Sequence, residues 1–295
     1  MKSIIISGSD KKYFNLLYNL CSSLKNKNIL KKSDLGLFDV GLTDYQNKKL
    51  LHFTKKIIKP NWDCKISFNT LEWKKLLVVR PFLKKYFPNY DLYIWMDADT
   101  APLSDNFLKE INLVKKKDIF ICNEYDDCYL NNNKDTSYKK IFNNYYKIQG
   151  WVHKNNVKYL GEKIADNLLG KPLFNAGFFA LRSKSVIWKK WQKVYCNIIH
   201  KSHDDYCLSM DQASLNQVLY NNLKNVHIMN SKYNWLVKNS LPHINKKKLC
   251  KPSFPHEKIE IIHFTCFAIT KKNNFYNINS NKYQKISLKK ILGIK

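Results

Sequence analysis

Asp97 and Asp99 close the stretch YIWMDADT (93–100), in which four large apolar residues run straight into two carboxylates separated by one alanine. Burying charge is costly unless it is paired or bound to a metal, so a cation belongs beside them. Along an extended chain side chains i and i+2 point the same way, so both carboxylates can reach one ion, and hard oxygen donors suit Mn2+ or Mg2+. His263 ends the apolar run IEIIHFT (259–265) and adds an imidazole to such a set. Arg80 offers a planar fork for carboxylate or phosphate. Asn175, Ala176 and Gly177, inside PLFNAGFFALR (172–182), read as a tight turn between two apolar segments, where backbone amides approach a ligand's hydroxyls closely. Asp211 and Gln212 open the helix MDQASLNQVL, with Asp211 either a helix cap or a site carboxylate. A phosphohydrolase of the D-x-D-x-[TV] type is excluded, because Ala101 occupies the required Thr or Val position and the motif follows a late strand.

Several elements must position these groups. SIIIS (3–7) reads as a buried strand, GSD as a turn, and a helix follows from about Lys11 with Phe14, Leu17, Leu20 and Leu24 on one face. A strand, a tight turn and a helix predict a doubly wound α/β sheet, which takes ligands beyond its C-terminal strand ends. Ser7, Gly8, Ser9 and Asp10 lie at that place, and no G-x-G-x-x-G loop is present. Residues 71–87 carry a helical apolar stripe that includes Arg80, and Pro81 bends or breaks it. PNYD then turns into the strand LYIWM. The polar stretch 104–170 predicts loops and short helices contributing to a binding surface. VIWKKWQKVYCNII is an amphipathic helix. The chain divides into one domain over 1–270, in two halves, 1–103 and 104–270, followed by a basic tail, 271–295.

The chain has 295 residues and a formal charge of +28, which raises the question of nucleic acid. All but two of the 51 basic residues are lysines, with Arg80 and Arg182 the exceptions. Phosphate-gripping proteins favour the arginine fork, so the charge reflects an AT-rich coding sequence and no specific nucleic acid is expected. The eight cysteines show no C-x-x-C and no zinc spacing, and are expected as free, buried thiols. No signal peptide or membrane span is legible, which predicts a soluble cytoplasmic protein. Lysines alternating with Phe275, Tyr276, Tyr283, Ile286, Leu288, Ile291 and Leu292 in the tail suggest peripheral contact with anionic membranes.

Taken in order, GSDKKY, Arg80, YIWMDADT, FNAGFFALR, DQASLNQ, YNW (233–235) and IIHF resemble glycosyltransferase family 8, the glycogenin and lipopolysaccharide galactosyltransferase type, and the related α-1,2-galactosyl- and xylosyltransferase group. The resemblance spans about residues 3–265. It implies a GT-A fold, a Rossmann-like α/β domain whose central, mostly parallel sheet is flanked by helices. It also implies a retaining, metal-dependent hexosyltransferase that uses a UDP-sugar and a glycan, lipid-linked or protein acceptor. Asp97, Asp99 and His263 would hold Mn2+ or Mg2+, with Asp97 also touching the ribose. Ser9, Asp10 and Tyr13 would lie near the uridine, and Arg80, Asn175, Asp211 and Gln212 would hold the donor sugar. The family's usual "HF-x-G" and "KPW" are missing from HFTCFAITKK, which leaves the diphosphate partner, Lys271 or Lys272, unassigned.

Cleaving a sugar–phosphate bond develops negative charge on the diphosphate, which a divalent metal neutralises. With no evident nucleophile beyond Asp211 and Gln212, front-side attack accounts for retention. Two other classes compete. A two-metal nuclease or nucleotidyltransferase would need further carboxylates, from Asp126/Asp127 or Asp204/Asp205. A lysine-rich binding protein would be a transferase that has lost its chemistry.

Overall fold

The computed structural model describes residues 1–130, 150–265 and 272–292. Strand β1 (Ser3–Ser9) is buried along its whole length and forms the middle of a parallel block. It lies between β2 (Asp34–Asp39) and β4 (Leu92–Met96), with β3 (Ile57–Ile58) outside β2. The short strand β5 (Thr100–Pro102) follows the aspartate pair. Beyond β4 come β7 (Phe174–Arg182), β6 (Ile119–Asn123) and β8 (Val226–Met229), completing a seven-stranded sheet in the order β3-β2-β1-β4-β7-β6-β8. Only β7 runs against the rest. This is the expected helix-flanked, mostly parallel α/β sheet, and strands from both halves of the chain share it.

Alternation along the strands divides the core into two layers. Ile4, Ile6, Tyr93, Trp95, Phe179 and Leu181 face the helix Ile187–Lys201, whose Ile187, Trp188, Trp191 and Tyr195 are buried against them. Ile5, Ile94, Met96, Phe120, Phe178 and Ala180 face the helices Phe14–Asn26 and Asn106–Leu113. The stripe around Arg80 is broken as predicted. Helix Lys75–Val78 gives way to a tighter 3-10 turn, Arg80–Phe82, because Pro81 cannot continue the α ladder.

A three-stranded sheet, β5-β12-β9, joins β12 (Ile261–His263) to β5 and to β9 (Trp235–Leu236). A four-stranded sheet, β11-β10-β13-β14, contains β10 (His243–Asn245), β11 (Lys248–Cys250), β13 (Lys272–Asn277) and β14 (Lys282–Ser287).

Four expectations change. The N-A-G segment is no turn: Asn175–Gly177 lie inside β7, which pairs on both sides. The stretch 104–170 supplies β6, an interior strand, and its residues 131–149 lie outside the described residues. Cys64 and Cys196 form a disulfide, while Cys21, Cys122, Cys128, Cys207 and Cys250 are free and buried, and Cys266 lies outside the described residues. Finally, the segment expected as a tail forms a hairpin and a short helix, Leu288–Ile291, and buries Phe275 and Leu288 in a third core cluster with Trp235 and Ile262. Lys271 lies outside the described residues, and no described helix is long and apolar enough to cross a membrane.

Candidate functional site

Strand order reverses direction between β1 and β4, which opens a crevice beyond their C-terminal ends. The cleft there measures about 560 Å3. Gly8, Ser9, Asp10 and Tyr13 line it from the end of β1 and the segment after it, Trp73, Leu76 and Arg80 from the broken helical stretch, and Asp97 and Asp99 from the turn after β4. Ser9 and Ser7 are buried with hydroxyls that meet no partner, so donors and acceptors stand ready at the β1 end. Ser7 sits one pleat deeper than the cleft wall and does not line it. Asp10 is spent locally, accepting from the Tyr13 N–H at 3.0 Å.

At the other end of the cleft, Asp97, Asp99 and His263 bring ligand atoms within 4.8 Å of one another, the one such group among the described residues. The β5–β12 pairing aligns His263 with Thr100 and so delivers the imidazole to the aspartates. The intervening turn is fixed by the Asp97 carbonyl, which accepts from Thr100 N–H at 3.0 Å and from its hydroxyl at 2.8 Å. His263 Nε2 lies 3.2 Å from Asp99 and 4.0 Å from Asp97. Its Nδ1 meets Asn234 Oδ1 at 3.0 Å and donates there, so Nε2 is the nitrogen that faces the carboxylates. Burial alone would lower the imidazole's pKa, but the two aspartates outweigh it and hold the group above its ordinary value.

Arg80 binds the site together. Buried under the cleft, it donates from Nη2 to Asp97 and from Nη1 to Asp211, with its guanidinium 5.1 Å from the centre of the Trp95 ring. Trp95 Nε1 also donates to Asp97 Oδ1 at 2.7 Å, so one Asp97 oxygen is fully engaged and the other faces His263. Burial opposes the charge on Arg80, yet Asp97 and Asp211 raise its pKa further. Burial pushes the Asp211 carboxyl above its usual range, partly offset by Arg80. Met210 holds the capping position of the helix Asp211–Tyr220, and the Asp211 carboxylate, in the first turn, pairs with Arg80.

The remaining predicted residues form the floor. Asn175 Oδ1 accepts from Asn234 at 2.9 Å and from the Gly177 N–H at 3.0 Å, while its Nδ2 donates to Glu124 at 2.8 Å. Gln212 donates to the same Glu124 oxygen at 2.9 Å and accepts from the Ala176 N–H at 3.0 Å. Gly177 is required for space: a Cβ would sit 2.3 Å from His263 Cε1 and 2.9 Å from Asp97 Oδ2. Ligand approach through a turn is therefore the wrong account of that glycine. Sequence reading missed Glu124, Asn234 and Trp73. Glu124 had a legible signal, because IFICNE ends an apolar run in a carboxylate as YIWMD does. A second cavity of about 440 Å3 shares Trp73, Leu77 and Arg80 with the cleft and adds Asp211, Gln212, Trp151 and Tyr206.

The nuclease carboxylates are elsewhere: Asp126 pairs with Lys251 and Ser231, Asp204 with Lys158, and Asp205 with Lys74. No curated protein matches the chain. Among solved structures, an active-site mutant of LgtC is similar at a TM-score of 0.50 and 14% identity, covering 90% of this chain and 88% of that one. The bifunctional glycosyltransferase WbbM, in its apo form, is similar at 0.54 and 14%, covering 90% of this chain and 46% of that one. These likenesses show the fold. The sequence model of glycosyl transferase family 8 matches residues 3–271. The chain belongs to that family and is a glycosyltransferase of GT-A fold.

Proposed function

We propose that the protein transfers a hexose from a UDP-sugar to a hydroxyl of a glycan, with retention of configuration and with the help of a divalent cation. The observation that carries this reading is the convergence of Asp97, Asp99 and His263 at the end of a cleft whose other end holds the unpaired hydroxyl of Ser9. Two carboxylates and an imidazole with a fixed tautomer fit Mn2+ or Mg2+. Such an ion would neutralise the charge that develops on the departing diphosphate.

The chain's own groups supply the rest. Tyr13 and Trp73 border the cleft, with apolar rings available to a base. Arg80 fixes the orientation of Asp97 and Asp211 at once, so neither carboxylate has to reorganise during reaction. Asp211 is committed to Arg80, and Gln212 to Ala176 and Glu124. Neither is free as a nucleophile, which supports front-side attack, the departing phosphate taking the proton from the acceptor hydroxyl.

Hydrolysis of UDP-glucose and UDP-galactose, followed as UDP release, tests the proposal. Release should depend on Mn2+ or Mg2+, stop with EDTA, and be lost in Asp99→Asn at unchanged thermal midpoint. Equal release in EDTA would overturn the metal assignment.

A further inference from the structure

The four-stranded C-terminal sheet has an outer face that the catalytic cleft does not use. Its inner face carries Ile244, Leu249 and Phe275, buried with Trp235 and Leu288. Strand alternation therefore sets His243 of β10, Tyr276 of β13 and Tyr283 of β14 on the opposite face. Their rings form a row across neighbouring strands, with centroids 5.0 Å apart for His243 and Tyr276 and 5.2 Å for Tyr276 and Tyr283. The row continues off the sheet through His256, 6.0 Å from His243, to Phe254, 6.4 Å further. Its two ends, Phe254 at 89% and Tyr283 at 71%, are the most exposed aromatic side chains among the described residues.

The loop that holds Phe254 is anchored at its base. A bridge joins Cys250 to Lys258, Lys251 N–H donates to the Glu257 carbonyl at 2.8 Å, and the Lys251 ammonium pairs with Asp126 at 2.8 Å. A contiguous row of exposed rings, rather than any one of them, marks a surface that something covers. The chemistry of the face indicates what does. Its rings have polar edges, and Asn245 and Asn274 share the face. Ring faces pack against the apolar faces of sugars, while amides and hydroxyls bond sugar hydroxyls. Apart from Phe254, the face lacks the apolar groups that insert into a bilayer, because Ile244, Leu249, Ile286 and Leu288 all turn inward. Burial, then the neighbouring His256, lowers the pKa of His243, so its ring is an uncharged packing surface at neutral pH. Lys272 and Lys285 stand exposed on the same face.

We propose that the Tyr283–Tyr276–His243–His256–Phe254 row is an auxiliary binding site for an extended glycan, the chain that bears the acceptor sugar, with Lys272 and Lys285 favouring a glycan that carries carboxylates. The proposal rests on the glycan-acceptor reading above, but its test does not depend on turnover. Affinity electrophoresis of the full chain uses gels containing polygalacturonate, dextran or laminarin, with flotation on phosphatidylglycerol vesicles as a separate arm. The probe is Phe254→Ala/Tyr283→Ala, which removes two exposed rings and no charge. Retardation in at least one glycan gel should weaken by about tenfold in dissociation constant, and Phe254→Trp/Tyr283→Trp should restore it. Circular dichroism and metal-dependent UDP release should remain as in the wild type. Equal retardation of wild type and double alanine variant would show attraction by charge alone and overturn the proposal. So would no retardation in any gel, or an effect confined to vesicles. Retardation of the wild type that depends on the two rings, without metal-dependent UDP release, would count against the transferase reading instead.

Discussion

Replacing Gly177 by alanine tests the geometry of the site with one methyl group. The added carbon would lie 2.3 Å from His263 Cε1, and 2.9 Å from both Asn175 Oδ1 and Asp97 Oδ2. Carbon atoms in contact sit ~3.5–4.0 Å apart, so the imidazole must retreat by roughly 1.2–1.7 Å. Overpacking of this kind costs about 1–3 kcal/mol, which in a domain of this size lowers the thermal midpoint by roughly 2–12 °C. The effect on function is larger, because an error of ~1 Å in a reacting group costs on the order of a hundredfold in rate. Gly177→Ala should therefore fold, melt a few degrees early, and lose UDP release by about a hundredfold at fixed Mn2+. A double-mutant cycle isolates the cause. In a His263→Ala background the main obstacle to the methyl is gone, so the stability cost of Gly177→Ala should shrink by more than ~0.5 kcal/mol. Additive costs, or near-normal UDP release by the single variant, would refute the packing argument.

Arg80→Lys can meet only one of the two carboxylates that Arg80 now bridges. It should cost up to ~3 kcal/mol in urea unfolding and about tenfold or more in UDP release, and unchanged values would make the fork dispensable. Asp126 is held below its ordinary pKa because, although burial raises it, hydrogen bonds from Lys251 and Ser231 outweigh that effect. Its stabilisation is complete above the unfolded carboxylate value, near pH 4, and fades as pH falls through the lower folded value. The gap in thermal midpoint between wild type and Asp126→Asn should thus be full at pH 7 and narrow toward pH 3, and a constant gap would contradict the assignment. The Cys64–Cys196 bridge ties together residues 132 positions apart. Dithiothreitol should destabilise the wild type by about 2–4 kcal/mol and leave Cys64→Ser unaffected, and equal responses would mean that the bridge carries no stability.

The sequence by itself determined that the strands before Asp97 and Asp99 and up to His263 end in groups able to do chemistry. Apolar runs of the right length that end in carboxylates are readable without a structure, since the rule linking burial to charge pairing is local. YIWMDAD met that condition, IEIIH ended in an imidazole instead, and Arg80 was conspicuous among lysines. What the partners do was decided by tertiary contacts. Nothing local distinguishes an N-A-G turn from an N-A-G strand, because the glycine of β7 answers to an imidazole 86 positions later in the chain that packs onto it. Gln212 and Asn175 share Glu124 only because β6, β7 and the helix Asp211–Tyr220 meet at one end of the sheet. The disulfide and the folding of the basic C-terminal hairpin are likewise outcomes of which distant segments meet. Sequence spacing carries local periodicity, whereas the proximity of residues far apart in the chain is set by the packing of the whole core.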